Sequence, residues 1–192
     1  MRNRKKSWNW SAIIIAVILI SSTFAITFFG LTQNDSETQK YNGYKFTRVQ
    51  AGWFTAIDGK QVFFNAAPSE VEHLILDPRM AQALKATPEI DVTSSLNDTN
   101  AEAIAVAEIQ MEQVLVDLSQ TYLRRGFLEN TSYNLPIIAC SQPSQVPVIY
   151  FRTGLNTSFY FEGSCLVAEA DTAGDMLKLK DRIMYAIYGV IP

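Results

Sequence analysis

The sequence predicts an α+β domain, a mainly antiparallel sheet with two packed helices, carried behind one N-terminal transmembrane helix. Three observations predict it. Residues 11–31 are uncharged and apolar over the length a helix needs to cross a hydrocarbon core of about 30 Å. Short aromatic and β-branched runs separated by turn residues recur on both sides of residue 100. Two longer stretches, near residues 100–122 and 172–187, carry apolar residues at helical spacing.

Arg2, Arg4, Lys5 and Lys6 precede the apolar segment, and the first carboxylate after it is Asp35. The positive-inside rule therefore puts residues 1–10 in the cytoplasm as a basic tail and the C-terminal domain outside the membrane. Trp8 and Trp10 mark one boundary of the span, where indole rings favour the headgroup level. The alternative is a cleavable signal peptide ending near Thr23 to Ala25. The apolar run continues past that point through Ile26, Phe28, Phe29 and Leu31, which favours an uncleaved signal-anchor. Residues 32–40 read as a polar linker, and 41–192 as one extracytoplasmic domain long enough to bury its own core.

Four of the 16 basic residues lie in the tail, so twelve face 19 acidic residues from residue 32 onward, a net charge near −7. Such a domain has no electrostatic footprint for nucleic acid or an anionic lipid surface. Its two cysteines, Cys140 and Cys165, are expected to form a structural disulfide in an oxidising compartment. Beyond the apolar segment, acceptor patterns for N-glycosylation stand at Asn34, Asn97, Asn130 and Asn156, on the expected outer side in turn-like sequence. The same residue types also favour turns for their own sake.

Within the domain, residues 44–50 and 53–57 read as strands, and Asp58-Gly59 turns the second into 60–64, giving a three-stranded meander. Residues 68–76 are ambiguous; 77–85 form a short helix with Pro78 in its first turn, and 89–93 a strand. Thr99-Asn100-Ala101-Glu102 has the form of a capping box. It opens a helix whose stripe runs through Ile104, Ala107, Met111, Val114, Leu115, Leu118 and Tyr122, with Glu108 at its edge. Val106, Ile109 and Val116 interrupt the polar face, so this helix is expected to be partly covered on a second side. Arg124, Arg125 and Gly126 read as its C-terminal signals. Strands are then expected at 136–140, 146–152, 158–162 and 165–170 in an antiparallel meander, with the disulfide tying the first to the last. Thr172 to Asp175 caps a final amphipathic helix with Leu177, Ile183, Met184 and Ile187 on its apolar side.

Three stretches carry a resemblance: residues 132–140 (SYNLPIIAC), residues 146–151 (VPVIYF) and Tyr41-Asn42-Gly43-Tyr44-Lys45. They resemble a group of small single-pass envelope proteins from archaeal genomes whose chemistry is not assigned. The resemblance spans most of the domain, implies a cell-surface location and supplies no catalytic residues.

Chemistry is sparsely signalled. His73 is the single histidine; Glu70 stands three residues before it, but no further ligand accompanies the pair, so no metal or cofactor is expected. Glu162, Glu169, Asp171 and Asp175 form an acidic group that a carboxylate hydrolase would use if two of them faced each other. Capping charge at a helix start explains the last two equally well. Tyr41, Tyr44, Phe46, Trp53, Phe54, Phe63 and Phe64 fit the core of the meander or a stacking face, with Trp53 the candidate exposed binding residue. The leading expectation is a non-enzymatic, membrane-anchored interaction module, an accessory subunit of an envelope assembly with a protein partner. An anchored hydrolase of an envelope polymer and a redox module using the cysteine pair are the alternatives.

Overall fold

The computed structural model describes residues 37–130 and 132–192. The predicted span 11–31, the basic tail and Asn34 lie outside the described residues, among which no helix is long and apolar enough to cross a membrane.

Two sheets, not one, face a layer of helices. The first is an antiparallel meander of β1 (Thr38–Tyr41), β2 (Tyr44–Val49), β3 (Gly52–Ile57) and β4 (Lys60–Phe64). It has four strands where three were expected, and it begins inside the stretch read as a linker. Asn42 and Gly43 both adopt positive φ, as do Asp58 and Gly59, so each pair forms the tight turn that matches strand twist. Gly52 follows from contact: a Cβ there would stand 2.2 Å from the carbonyl oxygen of Phe64 on the neighbouring strand.

The chain continues through α1 (Pro68–Val71) and α2 (Pro78–Ala86), in which Asp77 caps the second by accepting the Arg79 amide at 2.8 Å. The second sheet contains β5 (Glu89–Ser94), β6 (Tyr122–Phe127), β7 (Val148–Thr153), β8 (Ser158–Glu162) and β9 (Cys165–Ala170), in the order β6-β5-β7-β9-β8. Only β8 and β9 pair antiparallel; β5 is parallel to β6 and β7, and β7 to β9. This corrects the antiparallel meander. Helix α3 (Ala101–Ser119) is the crossover between β5 and β6, which is the length of connection a parallel pair needs.

Two further expectations are corrected here. Gln120 takes the left-handed conformation and ends α3, so Arg124, Arg125 and Gly126 belong to β6 and not to a helix terminus. Residues 136–140 make only an isolated bridge, Ile137 to Phe127. Pro136 has no amide to donate, and the segment crosses the sheet surface instead of extending it. Gly126 makes room for it: a Cβ there would stand 2.5 Å from the Pro136 carbonyl and 2.7 Å from the Ile138 side chain.

The last helix, α4 (Ala173–Ile187), is the hub. Thr172 caps it by accepting the Asp175 amide at 3.1 Å. Tyr185 stacks on Phe64 at 4.3 Å and meets Phe46 edge-on at 5.8 Å, while Met176, Leu179 and Ile183 join the core that Ile149, Phe151 and Leu166 of the second sheet share. The helix is therefore buried nearly all round, including Lys180, Asp181 and Arg182, where an amphipathic helix with one apolar side was expected. Each of these three charges meets a partner, although Arg182 Nη1 has none. Asp181 accepts the Asn65 and Ala66 amides at 2.7 and 2.8 Å and the Lys180 ammonium. Arg182 donates to the Leu74 carbonyl at 2.9 Å and the Pro192 carbonyl at 3.0 Å. Burial pushes the Asp181 carboxyl up and the Arg182 guanidinium down, against these bonds.

Candidate functional site

In an open sheet with parallel strands, ligands settle beyond the carboxyl ends where adjacent strands send their connections in opposite directions. Here that point lies between β5, which leads through α3 to β6 on one side, and β7 on its other side. The crevice is filled by the chain itself. Asp98, in the loop after β5, accepts the Thr153 amide at 2.8 Å and also the Thr153 hydroxyl; its Oδ1 takes the Asn100 amide at 2.8 Å. Asn100 Nδ2 donates to Thr153 Oγ1 at 3.0 Å. The expected capping box is absent as a result: the N-cap is Asn100, whose side chain makes no capping bond, and Asp98 holds the helix start.

The outer face of the second sheet carries two members of the acidic group singled out in the sequence. Glu162 and Glu169 do come together, through a cation. Arg152 lies 3.6 Å from Glu162 and 3.2 Å from Glu169, and the Tyr160 hydroxyl donates to Glu169 at 2.9 Å. Burial raises the Tyr160 and Tyr150 hydroxyls above their ordinary value. This is a guanidinium-centred cluster and not two carboxyls facing each other across room for a sugar. Asp175 belongs elsewhere: its Oδ1 receives the Lys178 ammonium at 2.9 Å and its Oδ2 the Thr172 hydroxyl at 2.8 Å, and the pairing with Lys178 leads the causes that hold its carboxyl below the usual range. Asp171 is exposed at the start of the same helix.

Glu70 reaches back to the Ala67 amide at 2.6 Å and caps α1, while His73 is exposed just past that helix. Among the described residues no group of three or more His, Cys, Asp or Glu is arranged to hold a metal ion. Cys140 and Cys165 are bonded, with Cα atoms 5.2 Å apart, and both are buried beside Ile138 and Val148. Cys140 lies in the segment that crosses the sheet and Cys165 opens β9, so the bridge staples the covering segment to the sheet. It does not tie a first strand to a last one.

The aromatic residues divide. Phe46, Phe64 and Trp53 are core, and Trp53 is 6 % exposed with Arg48 stacked 5.5 Å from its ring centre. The expectation of an exposed indole is thereby corrected: Trp53 alternates with Thr55 and Ile57 on the inward face of β3. Phe54 and Phe63 are half-buried and meet edge-on at 5.4 Å, lining a groove of about 220 Å³ against α3.

The outward face of α3 was legible only as an anomaly. Val106, Ile109 and Val116 are 43 %, 44 % and 52 % exposed, so no second element of the described fold covers them. They follow at i, i+3 and i+10 and make one stripe with Gln113. On one side runs the Phe54–Phe63 groove. On the other lies a shallow depression of about 450 Å³ lined by Ile109, Glu112, Gln113, Val116, Asp117 and Arg125. Glu112 pairs with Arg125 at 2.6 Å, Lys60 donates to the Asp117 carbonyl, and Glu102 and Asp117 are exposed, leaving a rim with a small excess of acid. Beneath it Glu108 is buried, which pushes its carboxyl up to about 7, with Glu112 adding to the shift and Arg125 opposing it.

No protein-family model, no curated relative and no solved structure matches this chain.

Proposed function

We propose that the chain is a non-enzymatic interaction module, tethered to the membrane by residues 11–31 with its domain outside, whose working surface is the outward face of α3. The observation that carries this reading is the uncovered stripe of Val106, Ile109 and Val116 between two grooves with an acidic rim. An apolar stripe at helical spacing takes an amphipathic helix laid along it, anchored at i, i+3 and i+7 positions. The rim and a net charge near −7 beyond residue 31 select a partner helix with basic residues flanking its apolar anchors. The partner is accordingly a second envelope protein and not another copy of this acidic face. The filled crevice at the strand ends and the guanidinium between Glu162 and Glu169 favour binding over hydrolysis. Burial of the disulfide favours a structural role for the cysteines over a redox one.

The test is the size of the assembly extracted from membranes in mild detergent. The full chain is expected to migrate in a larger species that Ile109→Asp together with Val116→Asp releases to the size of the free chain. Equal migration of the wild type and the double variant contradicts the reading.

A further inference from the structure

Three of the four glycosylation patterns beyond the apolar segment occupy corresponding places in the fold. Asn97 stands three residues past the end of β5 at Ser94, Asn130 three past the end of β6 at Phe127, and Asn156 three past the end of β7 at Thr153. These strands are adjacent and parallel, in the order β6-β5-β7. Neighbouring strands lie about 4.8 Å apart, so the three loops spring from a line about 10 Å long. Two side-chain bonds tie the loops together: Ser95 to Glu129 at 3.3 Å, and Asp98 to the Thr153 amide at 2.8 Å. All three asparagines are exposed, and no proline follows any of them. Residues up to 59 positions apart in the chain are thus presented as one patch, at the end of the sheet where open parallel folds hold ligands.

We infer that this carboxyl end of the second sheet is a cluster of N-linked glycans. The inference rests on the outward placement of the domain in the proposed function. In each attachment the asparagine Nδ2 attacks the anomeric carbon of an oligosaccharide carried on a polyisoprenyl phosphate or diphosphate. The new C–N bond forms as the bond from that carbon to the phosphate oxygen breaks; the lipid phosphate leaves and the amide loses one proton. Three bulky hydrated chains on so short a line cover the strand ends and keep partners away from them. Helix α3 starts at this end and runs toward the opposite one, so Val116 and Asp117 stand at the end of the stripe farther from the glycans.

The experiment expresses the full chain in a host with an N-glycosylation pathway and identifies glycopeptides by mass spectrometry, with Asn97→Gln, Asn130→Gln and Asn156→Gln as single variants. A compartment control comes from Asp117→Asn, which creates an Asn-Leu-Ser acceptor on the exposed last turn of α3, away from the cluster. The expected result is three occupied sites in the domain, each single variant losing one glycan's mass, and a further glycan in the control. If the control site is modified and fewer than two of the native sites are, the cluster is refuted while the outward placement stands. If neither control nor native sites are modified, the outward placement fails and the inference falls with it.

Discussion

Asp98 accepts the backbone amide of Thr153 at 2.8 Å, joining the loop that follows β5 to the end of β7. One side chain thereby fills the crevice where this kind of sheet offers a site, starts α3 through the Asn100 amide and sets the backbone that presents Asn97. The position that would hold a ligand in another protein is used here for structure. Replacing Asp98 with Ala leaves the half-buried Thr153 and Asn100 amides without their acceptor. The expected loss is about 1–3 kcal/mol of stability, read as a lower denaturant midpoint with an unchanged slope.

Glu108 makes stability depend on pH. Its folded carboxyl sits near 7 against an ordinary value of 4.5, so between those values the folded chain holds a proton that the unfolded chain has released. Stability therefore falls as pH rises through that window and levels off above it. The shift corresponds to about 3 kcal/mol. Denaturation curves at pH 4.5, 6 and 8 should show the decline in the wild type, and Glu108→Gln should flatten most of it, with the gain of the variant largest at pH 8. The raised Asp181 carboxyl contributes in the same direction in both proteins.

Lys180 and Asp181 are adjacent, buried and unequal. Asp181→Ala strands a buried ammonium and orphans the Asn65 and Ala66 amides, an expected cost of about 3–5 kcal/mol. Lys180→Met leaves a carboxyl that keeps both amide bonds and can take up a proton. It should cost clearly less than Asp181→Ala in parallel chemical denaturation, and more at pH 8 than at pH 5.

The Cys140–Cys165 bridge closes a loop with a sequence separation of 25. In the chain-entropy description a loop of this length contributes about 3.5 kcal/mol. Reduction, or Cys140→Ala with Cys165→Ala, should lower the unfolding free energy by that amount and expose the segment around Ile138 to proteases before the rest of the domain.

Features governed by neighbouring residues were legible in the sequence. Asp58-Gly59 and the cap at Thr172 act over a few residues, and both stand where expected. Asn42-Gly43 carries the same turn signal as Asp58-Gly59, and reading it would have supplied the fourth strand. Pairing was not legible, because alternation along a strand does not say which strand lies beside it or in which direction. An apolar run at 136–140 looked like a strand for the same reason, although its residues face a disulfide and a glycine across the sheet surface. Nothing in the sequence marks Lys180-Asp181-Arg182 for burial, because charges are usually solvated; only the fold brings the amides and carbonyls that pair with them. At the candidate surface, Val106, Ile109 and Val116 were visible as a fault in the polar face of α3. That they face outward, and are not covered by a second element of the described fold, needed the three-dimensional arrangement.

The most direct test of the account is photo-crosslinking from the full chain in its native cells, with the reactive group placed at Gln113, in the middle of the stripe, and at Thr157, beside the inferred glycans. The account predicts a single heterologous protein adduct from position 113, lost with Val116→Asp and weakened by high salt, and none from position 157. Adducts from position 157 alone, or adducts from 113 that survive Val116→Asp, would show that α3 is not the working surface.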